Sequence, residues 1–205
     1  MKIKPSRLKD IFSQYKSRCI MVIGDVMLDE FIWGKVSRIS PEAPVPVVEV
    51  IKEQHFPGGA ANVARNLRSL GCQVELVGQV GKDTQSVQLQ ELLQADKIGT
   101  SGIISNPNMR TIVKSRIIAR HQQVVRVDRE QLERVPVHVS DKSVVEIKQR
   151  IKHLDGIIVE DYGKGFLTQA LADRVSALAA LHKKVLTVDP NLHNPIHWPN
   201  PTTVK

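Results

Sequence analysis

Two periodicities take turns along the chain. Leu8, Ile11, Phe12 and Tyr15 recur at helical spacing and predict an amphipathic helix over 6–16, with Pro5 suited to its first turn. Residues 19–23 then form an unbroken apolar run closed by Gly24, the pattern of a strand buried on both faces. From Asp29 to Gln54 the chain turns into proline-punctuated β segments, 31–36 and 45–51, and Pro41, Pro44 and Pro46 assign them to sheet edges. Gly58-Gly59 opens a helix that runs to Leu70 and stops at Gly71, a natural C′ glycine. Strands follow at 74–80, 103–104, 156–159 and 185–188, and helices at 84–95, 140–154 and 168–182, with Thr84 and Ser140 as N-caps. A hairpin over 110–119 and 124–128 turns at His121-Gln122-Gln123. Helices alternating with short apolar strands indicate an α/β fold around a parallel sheet, with the proline-rich segment and the hairpin added outside it.

Composition narrows the class. The 205 residues are 41% hydrophobic and 24% charged, which suits one globular domain, and no apolar run reaches the ~18 residues of a membrane span. Two cysteines, Cys19 and Cys72, make no disulfide framework and fit a reducing, cytoplasmic setting. The net charge of +8 is concentrated. Residues 1–18 carry six Lys/Arg against Asp10, and residues 109–134 carry seven against Asp128, Glu130 and Glu133. Such a chain binds either nucleic acid or a small phosphate ester. Aromatic residues make up only 4%, with no stacking signature for single strands, so nucleic acid is the weaker reading.

Candidate chemistry gathers at four places. Gly58-Gly59 at a helix start would let a ligand approach bare backbone and the positive end of the helix dipole, with the Asn62 amide one turn in. A plain glycine-rich loop before a core helix explains the same residues. Asp25 and Asp29 follow the first strand, where α/β sheets hold ligands, and Asp29 can accept from two sugar hydroxyls. On a strand, Ile112, Lys114, Arg116, Ile118 and Arg120 share one face, so three cations point the same way; a solvated basic edge strand is the alternative. Asp161-Tyr-Gly-Lys164-Gly follows the 156–159 strand, where Lys164 can neutralise a phosphate and Asp161 can orient a sugar or a metal-bound water. Asp189, with Pro190 and Asn191, is a weaker candidate. Gly81-Lys82-Asp83-Thr84 lacks the spacing of a P-loop, and Pro195 keeps His193 and His197 off one helical face.

Together, Gly58-Gly-Ala-Ala-Asn62-Val-Ala with Gly71 resembles the N-terminal signature of the ribokinase (PfkB) carbohydrate kinases. Gly24-Asp-Val-Met-Leu-Asp29, the run from Val36 to Pro46 and Asp161-Tyr-Gly-Lys-Gly165 narrow the likeness to the bacterial heptose 7-phosphate kinases. The resemblance implies an α/β ribokinase-like three-layer sandwich with a mainly parallel sheet and a small β lid, from about 29–56 and 109–131, that often clasps a homodimer. It implies substrate contacts from Asp29, Arg38, Gly58, Gly59, Asn62, Asp161 and Lys164, with Lys114, Arg116 and Arg120 on the 7-phosphate, and no membrane partner. It also implies ATP and Mg²⁺, with phosphoryl transfer to the anomeric hydroxyl on the route to ADP-heptose and lipopolysaccharide core.

The base of that family is an aspartate in Gly-Ala-Gly-Asp, which this sequence does not contain. No catalytic base is therefore assigned, and the expected reading is a partial kinase domain over 1–205, incomplete at its C-terminus and inactive alone. A sugar-phosphate-binding remnant and an unrelated basic α/β module stay open as alternatives.

Overall fold

The computed structural model describes residues 3–120, 122–131 and 133–205. Its centre is a six-stranded parallel sheet. β1 (Cys19–Gly24) pairs with β4 (Gln73–Val80) on one side and β8 (Gly156–Glu160) on the other. β5 (Gly99–Ser105) extends the sheet beyond β4, and β9 (Val185–Asp189) and β10 (Thr203–Val204) extend it beyond β8. The chain thus builds outward from β1 in one direction and then in the other. Parallel strands require crossovers, and the reversal places α2 (Ala60–Ser69) and α3 (Thr84–Ala95) on one face and α4 (Val137–Arg150) and α5 (Gln169–Leu181) on the opposite one. Each face has its own apolar core. Met21, Ile23, Ile147, Ile157, Leu171 and Leu186 belong to the first; Val22, Ala61, Leu76, Leu89 and Leu93 belong to the second. The alternation of Met21 and Ile23 with Val22 is the period-two pleat of a strand covered on both sides.

A second sheet stands on the C-terminal edge of the first. Its order is β3-β2-β6-β7, built from β2 (Val26–Ile39), β3 (Pro46–Gly59), β6 (Ile112–Ala119) and β7 (Gln122–Arg129). β2 pairs antiparallel with β3 and parallel with β6, and β7 folds back antiparallel on β6. Pro46 does sit on an edge strand, since it opens β3 and β3 ends the sheet, whereas Pro41 and Pro44 lie in the connection between β2 and β3. β6, in contrast, is internal, so the basic strand is not an edge.

Local boundaries depart from the sequence pattern in several places. β2 and β3 run to 14 residues each. Asp83, not Thr84, caps α3: its Oδ1 accepts the Ser86 N–H at 2.9 Å, and its other oxygen takes the Thr111 N–H at 2.7 Å. α4 starts at Val137 behind Pro136, whose extended backbone ends the preceding segment, and this leaves Ser140 buried inside the first turn. A 3₁₀ turn, Ile151–His153, closes that helix. The hairpin turn falls at Arg120, with φ 49°, and Gln122 and Gln123 are already in β7; His121 lies outside the described residues. The amphipathic α1 (Pro5–Tyr15) buries none of its residues fully, and only Tyr15 packs partly against the second core.

Candidate functional site

The chain reverses its direction of build at β1, and the crevice beyond the C-terminal ends of β1 and β8 is where an open α/β sheet receives ligands. Asp25 organises that crevice. It is the single residue between β1 and β2, and it is 2% exposed. Its backbone N–H donates to Glu160 O at 3.3 Å, and its own carbonyl accepts the Ala60 N–H at 2.9 Å, which joins the two roots of the upper sheet. Its carboxylate accepts the N–H groups of Tyr162 (2.9 Å), Lys164 (3.0 Å) and Phe166 (3.2 Å). Burial pushes its pKa up despite those donors, with help from nearby Asp161. Asp25 is thus the anchor of the 161–166 loop and not a ligand contact.

Asp161 is held in the same loop. One oxygen accepts the Gly163 N–H at 2.8 Å and the other accepts the Asn194 side-chain amide at 2.9 Å. Burial raises its pKa against these bonds. Gly163 and Gly165 take positive φ of 67° and 91°, which turns the loop back under the upper sheet.

Register assigns the faces of that upper sheet. Asp29, Phe31 and Trp33 pair with Phe56, Gln54 and Lys52 on one side and with Lys114, Arg116 and Ile118 on the other, so all share one face. On this face Arg116 Nη1 donates to Asp29 Oδ1 at 2.6 Å, and its guanidinium lies 5.2 Å from the Phe31 ring centre. Phe31 stacks on Trp33 and meets Phe56 edge-on, with both centroid separations 5.6 Å. Asp29 faces Gly58 closely: a Cβ there would stand 2.7 Å from Oδ2. Gly59 turns the chain from β3 into α2 with φ 57° and ψ −133°.

Lys114 and Lys164 approach each other from different sheets through one carboxylate. Lys114 Nζ contacts Glu130 Oε2 at 3.3 Å and Asp128 Oδ2 at 2.9 Å. Lys164 Nζ contacts both Glu130 oxygens, at 2.9 and 2.8 Å. Burial disfavours charge on Glu130, but the Lys164 bond and the two ammoniums outweigh it and hold its pKa below the ordinary range. The Asp128 carboxyl is also lowered, first by its bond from Lys114 and then by Arg126.

Of the residues expected at the site, the structure gathers Asp29, Gly58, Gly59, Lys114, Arg116, Asp161 and Lys164. Asn62 lies exposed on the first turn of α2. Arg120 leaves the shared face because it occupies the hairpin turn, where its Nη2 donates to Val36 O at 3.0 Å. Arg38 is exposed and paired with Val47, nine residues and roughly 30 Å along β2 from Asp29, so it does not join the site of its own chain. Asp189 stands beside Glu160 on adjacent strand ends, and Lys205 Nζ bonds it at 2.7 Å. Sequence reasoning missed Asp25 and Glu130 as organising groups. Their partners lie 137–141 residues away for Asp25 and 16 and 34 for Glu130, and no local motif carries such a signal.

Among the described residues no three His, Cys, Asp or Glu side chains converge on a metal site, and Glu160 and Asp189 make the neighbouring strand edge acidic. No helix among the described residues is long and apolar enough to cross a membrane.

Comparison with known proteins agrees with this geometry. Residues 17–198 match the pfkB family carbohydrate kinases. The bifunctional protein HldE of Helicobacter pylori strain HPAG1 is 44% identical over 171 residues, 83% of this chain and 37% of that protein. HldE of Trichlorobacter lovleyi is 38% identical over 183 residues, again 37% of its length. The chain therefore spans little more than a third of these curated relatives. Among solved structures, a carbohydrate kinase from Agrobacterium tumefaciens superposes with a TM-score of 0.62 at 17% identity, over 83% of this chain and 53% of that one. Arabidopsis thaliana ribokinase, solved with ribose and ATP, gives 0.58 at 12% identity, over 84% and 53%. At such identities the structures speak for the fold, ribokinase-like with a parallel sheet and a second sheet above it. The sequence match over most of the chain settles membership: this protein belongs to the pfkB family of carbohydrate kinases.

Proposed function

We propose that these residues form the sugar-phosphate-binding part of a heptose 7-phosphate kinase domain. One observation carries the reading: Lys114, Arg116 and Lys164 come from two sheets to one crevice, with Asp29 set against Gly58 beside them. A sugar lying along Gly58 would present hydroxyls to Asp29, while the cations are placed to take the phosphate through charge-assisted bonds. Phe31 and Phe56 give the sugar ring an apolar flank. The reaction such a site would serve is phosphoryl transfer to the anomeric oxygen of the bound sugar. By themselves these 205 residues bind and do not turn over, because the sequence contains no Gly-Ala-Gly-Asp to supply the base.

Calorimetric titration tests the reading. Lys114→Ala should weaken D-glycero-β-D-manno-heptose 7-phosphate by about tenfold or more, since a charge-assisted bond is worth ~1.5–3 kcal/mol, and should barely change the unphosphorylated heptose. Equal losses for both sugars would return Lys114 to a structural ion pair. Heptose 1,7-bisphosphate accumulating from ATP with this polypeptide alone would overturn the claim that it does not turn over.

A further inference from the structure

Each of the three cations that meet at the crevice is already on a carboxylate. Arg116 is on Asp29, Lys114 is on Asp128 and Glu130, and Lys164 is on Glu130. These carboxylates are not equivalent. Asp29 is held by one guanidinium nitrogen beside Gly58, where a sugar hydroxyl would be received. Asp128 is drawn outward by a two-pronged bond from Arg126, at 2.8 and 3.0 Å. Glu130 alone lies between two ammoniums that come from different sheets, and it follows directly on the last residue of β7.

We propose that Glu130 is an internal anion that occupies the seat of the substrate phosphate and is displaced when the phosphate binds. The inference rests on the reading of this crevice as a sugar-phosphate site. Its chemistry is an exchange of anions. A phosphate monoester carries close to two negative charges at neutral pH and several acceptor oxygens, so it can bridge the two ammoniums that one carboxylate now bridges. Without a ligand, Glu130 spares Lys114 and Lys164 mutual repulsion and keeps them side by side, each with less than a quarter of its side chain exposed. An unphosphorylated sugar does not enter that seat, so Glu130 leaves its binding untouched. Displacement would release Glu130 from Lys164.

The full chain is titrated with inorganic phosphate, and separately with heptose 7-phosphate and free heptose. Glu130→Gln should tighten inorganic phosphate by roughly three- to tenfold, the scale of a partly exposed ion pair, and should leave free heptose unchanged. Glu130→Asp, which keeps the charge but draws it back by one methylene, should tighten phosphate by less, and it serves if the Gln variant does not fold. Phosphate affinity unchanged or weakened in these variants overturns the proposal, because Glu130 would then be a scaffold for the lysines and not a competitor. The underlying reading fails on a different result, a wild-type chain that binds heptose 7-phosphate no better than heptose.

Discussion

At the scale of single residues, two acids separated by no obvious chemistry play opposite parts. Asp25 and Asp29 both follow β1, yet Asp25 is sealed among three backbone donors and Asp29 is partly exposed and bonded by Arg116. Asp25→Ala would strand those N–H groups without an acceptor, so urea unfolding should show a loss of about 3–5 kcal/mol. A loss under about 1 kcal/mol would deny Asp25 its anchoring role. Glu160 supplies a pH signature. Burial first, and the Asp189 charge second, raise its pKa from 4.5 to about 7, with Lys205 opposing. The folded chain then keeps a proton that the unfolded chain releases from about pH 4.5 upward. Stability contributed by this group therefore falls between about pH 4.5 and 7 and is level above. Glu160→Gln, shaped like the protonated acid, should match the wild type at pH 4 and melt several degrees higher at pH 8. Equal melting temperatures at both pH values would show that Glu160 is ionised in the fold without penalty.

At the scale of elements, legibility followed burial. β1, β4, β8, α2 and α5 were readable because one or two buried faces impose a period, whether Met21 and Ile23 against Val22 or the regular apolar positions of α5. The segments expected at 31–36 and 45–51 cover only part of β2 and β3: they leave out residues 26–30 and 37–39 of β2 and 52–59 of β3, where Asp29, Glu30, Ser37, Arg38 and the polar run Lys52-Glu-Gln-His55 interrupt the apolar pattern. Thr84 and Ser140 looked like caps by residue type, but Asp83 and Pro136 set those starts through contacts and backbone geometry that residue type does not carry. At the site, Gly58, Asp29 and Lys164 announced themselves by motif, whereas Glu130 did not, because its two partners meet it only when both sheets are in place. The β3–α2 junction gives a direct test. Gly59 holds φ 57° and ψ −133°, a region essentially closed to residues with a Cβ, and an added Cβ would also run into the Asp25 carbonyl. Gly59→Ala should lower stability by about 1–3 kcal/mol in thermal or urea melts, and an unchanged midpoint would mean that the junction relaxes without cost.

At the scale of the whole molecule, the chain passes between the two sheets four times, at β1–β2, β3–α2, β5–β6 and β7–α4, and the question is whether the sheets unfold together. β1 passes into β2 through Asp25 alone, and the same residue ties α2 and the 161–166 loop to that point. Away from this joint the sheets differ sharply in what opening would expose. Met21, Val22 and Ile23 are fully buried and paired on both sides, so freeing their amides requires both cores to come apart. β7 is an edge strand with every residue exposed, and peeling it from β6 uncovers little apolar surface. Local opening free energy scales with what is uncovered, so β7 amides that bond to β6 should exchange at least about 100-fold faster than those of β1. β6 should lie between, because β2 still covers its other side and Lys114 remains tethered to Glu130. Hydrogen exchange read residue by residue distinguishes this gradient from a single cooperative unit. Equal protection of β7 and β1 would show that the Asp25 joint binds the two sheets into one unit. The expected gradient would instead leave β7 free to move on a core that stays closed.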